Sequence, residues 1–67
     1  MKNGTVKEYD PGKGFGFILG DDGDDYFVHI SSLRPPLHKV GLREGERVMF
    51  DVDYDHKGDR AVNVRKA

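Results

Sequence analysis

At 67 residues the chain has room for one hydrophobic core and no second, and a chain this short buries only about 60% of the surface its unfolded form exposes. It has no cysteine, which excludes a disulfide framework and a thiolate metal cluster. Eleven Lys and Arg against twelve Asp and Glu leave a net charge of −1, so the basic surplus of a dedicated duplex binder is missing.

Turn signals punctuate the sequence at short intervals, and strand-like runs fill the gaps. Thr5 to Tyr9 is the first run. Asp10-Pro11-Gly12-Lys13 follows, with Pro second and Gly third as in a type II turn. Gly14 to Leu19 is the second run, and Asp21-Asp22-Gly23-Asp24 reads as a hairpin turn, because Asp-Gly tolerates positive φ. Asp25 to Ile30 is the third run. From Ser31 to Gly45 the strand pattern lapses: Ser31-Ser32-Leu33 suits a short helical turn, and Pro35-Pro36 excludes both a helix and a central strand. Arg47 to Tyr54 alternates cleanly as the fourth run, Asp55 to Asp59 is a polar loop, and Arg60 to Arg65 is the fifth run. Five short strands with one long connection after the third predict an all-β fold, a small closed or nearly closed barrel, since open edges invite aggregation at this size.

The period-2 rule sorts the side chains. Val48, Phe50 and Val52 share one face of the fourth strand, Val62 and Val64 one face of the fifth, and Tyr26, Val28 and Ile30 one face of the third. With Val6 and Ile18, and with Leu33 and Leu42 at the ends, they form the expected core. Phe15 and Phe17 then point together away from it, as do Phe27 and His29. A cluster of rings outside the core on neighbouring strands is not an ordinary scatter of exposed apolar residues. Gly14 and Gly16 flank Phe15 without side chains, and Lys7, Lys13, Lys39, Lys57 and Arg60 are available to border the rings. Open rings edged by cations suit unstacked bases and their phosphates. Packing of the rings against the long connection as a second small core is the structural alternative.

Rival chemistries lack their residues. A Gly-x-Gly-x-x-Gly phosphate loop fails because Phe17 or Leu19 takes the third glycine position. Asp51, Asp53 and Asp55 start like a calcium loop, but His56 replaces its glycine and Val62 its final Glu. His29, His38 and His56 have no local metal-ligand spacing, and Ser31 and Ser32 lack a base. No catalytic activity, metal or cofactor is expected. No apolar leader follows Met1 and no long apolar run appears, so the expectation is a complete one-domain protein over 1–67, cytoplasmic, monomeric and without membrane contact.

Lys13-Gly14-Phe15-Gly16-Phe17-Ile18 and Phe27-Val28-His29-Ile30-Ser31 resemble the two ribonucleoprotein motifs of bacterial cold shock proteins, and the resemblance runs from Gly4 to Val64. It implies a five-stranded antiparallel barrel of the OB type that binds single-stranded RNA and DNA as an RNA chaperone. Carried across by matching residues, the implied binding set is Lys7, Lys13, Phe15, Phe17, Phe27 and His29, with Asp25 at an acidic position. Tyr9, His38, Lys39 and Lys57 match less closely. The departures are Glu8-Tyr9 in place of a Trp-Phe pair, Ile30 in place of an aromatic, and a long loop one residue longer near His38. Since each base–aromatic stack is worth about 1–3 kcal/mol, these departures leave open a divergent barrel whose ring face contacts protein.

Overall fold

The computed structural model describes residues 1–35, 37–55 and 58–67. Its elements are β1 (Lys2–Asp10), β2 (Phe15–Gly20), β3 (Asp25–His29), a 3-10 turn (Ile30–Ser32), the short helix α1 (Leu37–Val40), β4 (Arg47–Asp55) and β5 (Gly58–Lys66). The strands close into a barrel in the order β1-β2-β3-β5-β4. β3 and β5 pair parallel, through Phe27–Arg60 and Val28–Ala61, and the other seams are antiparallel. This corrects the expectation of a purely antiparallel barrel, and the reason is parity: a ring of five strands cannot alternate direction all the way round.

The core is Val6, Ile18, Tyr26, Val28, Val48, Phe50, Ala61 and Val64, closed by Leu33, Leu37 and Leu42 from the long connection. No polar or charged residue is buried among the described residues. Three expectations shift. Val62 is only half-buried while Ala61 and Val64 face inward, because Asn63 adopts a positive φ of 53° opposite a register shift between Met49 and Asp51. Ile30 is exposed, because β3 ends at His29 and Ile30 begins the 3-10 turn. The turn after β1 is not type II: Gly14, not Gly12, takes positive φ. Asp10 Oδ1 accepts from the Gly12 and Lys13 amides at 2.9 and 3.2 Å, and this Asx-type bonding draws the chain into a tighter turn.

The hairpin between β2 and β3 is tied to the core through Tyr26. Its ring packs on Phe50 at 5.1 Å, while its hydroxyl donates to Asp22 Oδ2 at 2.6 Å. That bond, the Asp24 amide and the Lys2 ammonium hold the Asp22 carboxyl down to about 2, from an ordinary 3.8. The Tyr26 hydroxyl is pushed up, first by Asp22 and then by burial. A carboxyl depressed by folding stabilises fully above its unfolded value and loses that contribution as the pH falls through its folded value. Stability is therefore expected to decline between about pH 4 and pH 2, with a smaller decline in Asp22→Asn. Urea midpoints at pH 5 and pH 2 check this, and an equal decline in both proteins would exonerate Asp22.

Candidate nucleic-acid interface

The outer surface of β1, β2 and β3 is arranged by register. Phe17 stands between Glu8 on β1 and Phe27 on β3, and Phe15 stands between Asp10 and His29. The Phe27 ring lies 5.8 Å from both Phe15, tilted by 33°, and Phe17, nearly edge-on at 74°. Phe15 and Phe17 remain 37% and 36% exposed, and Phe27 is half-buried between them. The core contains none of the three, which decides against the second-core alternative. Leu19, 44% exposed, continues the β2 row; the same alternation that found the phenylalanines would have found it.

Two local features put the rings in the open. The register slips between Val6 and Glu8, leaving Lys7 as the extra residue of a bulge. Lys7 and Glu8 are both exposed, and the alternation beyond them is re-phased. Gly16 then lies so close to β1 that a Cβ would meet the Glu8 carbonyl oxygen and come within 2.6 Å of the Tyr9 Cα. The close strand pairing beneath the rings requires glycine there.

The charged and polar candidates are placed unevenly. Lys7 Nζ lies 3.4 Å from Asp25 Oδ2, an exposed pair that holds neither group tightly. Lys13 is exposed on the turn beside Phe15 and lines an open groove of about 390 Å³ with Glu8, Asp10, Pro11, Phe17 and Glu44. His29 Nδ1 accepts from the Ser31 amide at 3.1 Å and lies 2.9 Å from Ser31 Oγ. An accepting Nδ1 puts the neutral ring's proton on Nε2, leaving that N–H as the donor for a ligand.

Tyr9 is set apart from the three rings. It pairs with Gly16, packs against the core, and has its Cε2 3.3 Å from the Cβ position of Gly41. Its hydroxyl is shut off from solvent with no hydrogen-bond partner among the described residues, and burial pushes its pKa up. Gly41 comes from the long connection, so no local pattern could have paired it with Tyr9. His38 lies on α1 and lines a second groove of about 440 Å³ with Ile30, Ser31, Leu33 and Pro35. Ile30 Cγ2 is 3.2 Å from the Cβ position of Gly14, the residue before Phe15. Lys39 is exposed on α1. Lys57 and His56 lie outside the described residues.

Residues 2–67 match the family model described as the "Cold-shock" DNA-binding domain. The chain belongs to the cold-shock domain family. It is 48% identical over 67 residues, all of both chains, to cold shock protein CspC of Bacillus subtilis. To cold shock protein 1 of Lactiplantibacillus plantarum it is 48% identical over 64 residues, 96% of each chain. To the major cold shock protein of Streptococcus pyogenes serotype M6 it is 44% identical over 66 residues, 98% of this chain and 97% of the relative. The family is one of nucleic-acid-binding domains, and in this cold-shock domain the exposed aromatic cluster lies on its two motif strands. Among the described residues, no helix is long and apolar enough to cross a membrane.

Proposed function

We propose that this cold-shock domain is a non-catalytic binder of single-stranded RNA and DNA, one domain over 1–67, acting as a cytoplasmic monomer in the manner of an RNA chaperone. The observation that carries the reading is the open row of Phe15, Phe17 and Phe27, a stacking platform outside the core. Bases stack on the rings, Lys7 and Lys13 meet phosphates, and the His29 Nε2–H donates to a base or backbone oxygen. Tyr9, His38 and Lys39 add contacts at the edges of this surface, and Lys57, outside the described residues, is a further candidate contact. With a net charge of −1 the affinity rests more on stacking than on phosphate attraction.

A duplex hides the base faces these rings need. Single strands are therefore expected to bind at least about tenfold more tightly than a duplex of the same sequence, about 1.4 kcal/mol. Titration of a dye-labelled pyrimidine heptamer and its duplex measures this, since the chain has no Trp to report binding. Equal affinities would remove the stacking mechanism. The carboxylates bordering the rings, Glu8, Asp10 and Glu44, favour a second reading in which the same face contacts a protein. Absence of measurable single-strand binding in that titration would select it.

A further inference from the structure

Beside the rings of β2 and β3, the β1 column of the same outer surface offers carboxylates. Glu8 is the cross-strand partner of Phe17 and Asp10 of Phe15, and all four line one open groove. Directly opposed residues on one sheet face have Cβ atoms about 4.5–5.5 Å apart. A base lying flat on Phe17 therefore presents one edge toward Glu8. Asp10 is exposed on the groove and accepts from two turn amides through Oδ1 alone among the described residues. Glu8 is exposed and has no bond or ion pair among the described residues, so its carboxylate is open to a ligand.

An ionised carboxylate only accepts hydrogen bonds. The pairing edge of uracil or thymine offers one N–H flanked by two carbonyl oxygens, which a carboxylate repels. Guanine offers N1–H and the N2 amine side by side, two donors matched to two carboxylate oxygens. Adenine and cytosine offer one amine beside a bare acceptor nitrogen. We propose that Glu8 is a specificity-determining residue that selects guanine over uracil or thymine for the base stacked on Phe17. Asp10 adds like-signed charge that disfavours oxygen-rich edges at the neighbouring ring. This rests on the stacking reading above and deepens it.

The test uses two dye-labelled RNA heptamers, one all uridine and one with its central uridine replaced by guanosine. A well-formed bidentate contact discriminates by 1–3 kcal/mol, so the parent is expected to prefer the guanosine strand by about fivefold or more. An inosine strand, which lacks the N2 amine, should fall between. Glu8→Gln keeps the shape and removes the charge, so it should bind the uridine strand better and the guanosine strand worse. The preference should then shrink to about twofold or less. Equal binding of the strands by the parent, or an undiminished preference in Glu8→Gln, overturns the role of Glu8. If both strands bind equally and Phe17→Ala weakens binding by about fivefold or more, the stacking reading survives and only this inference falls. If neither strand binds, both fall.

Discussion

Phe17→Ala and Phe27→Ala are each expected to weaken single-strand binding by about 1–3 kcal/mol, roughly 5- to 150-fold, while the far-UV spectrum stays that of the parent. Phe27 should show the larger loss, because its ring lies 5.8 Å from both neighbours and orients the whole row. Removing it deletes one stacking surface and frees the two beside it. The fold should tolerate the change, since the core is built from Val6, Ile18, Tyr26, Val28, Phe50 and their neighbours on the other face. Fluorescence titration and circular dichroism on the same samples separate the two effects. If both variants unfold, the rings are structural after all.

The face on which each ring lies was readable from alternation alone, because β2 and β3 are regular and period 2 holds through both. β1 and β5 were less readable. Strict alternation from Val6 would turn Glu8 inward, and only the bulge at Lys7 lets a carboxylate stand opposite Phe17. On β5 the positive φ of Asn63 exchanges Val62 for Ala61 in the core. Both irregularities are register shifts between consecutive strands, β1 against β2 and β4 against β5, and period 2 within one strand does not encode where a bulge will fall. Leu37 and Gly41 were missed for a related reason. They are brought to the core and to Tyr9 by the long connection, whose path is set by packing against strands distant from it in sequence.

Phe50→Ala should do the opposite of the ring variants. Phe50 is fully buried, pairs with Lys2 across the β1–β4 seam, and packs its ring against Tyr26. Its Cε1 also lies 3.1 Å from the Cβ position of Gly4, so the site leaves little slack. Truncating a buried Phe to Ala costs about 3–5 kcal/mol. A chain of 67 residues has total stability of only about 3–10 kcal/mol at typical per-residue values. The variant is therefore expected to lose at least about 12 °C in Tm, or to be largely unfolded at 25 °C. Phe15, Phe17 and Phe27 remain, so a single strand should still recognise the folded form. A ligand that binds only that form adds about 2.7 kcal/mol when present at a hundred times its Kd. An added pyrimidine heptamer should thus restore most of the lost β signal in Phe50→Ala and none in Phe50→Ala combined with Phe17→Ala and Phe27→Ala. A Tm within about 4 °C of the parent would place the loss below about 1 kcal/mol and remove Phe50 from the centre of the core. Equal recovery in the two proteins would mean that the strand binds somewhere other than the rings.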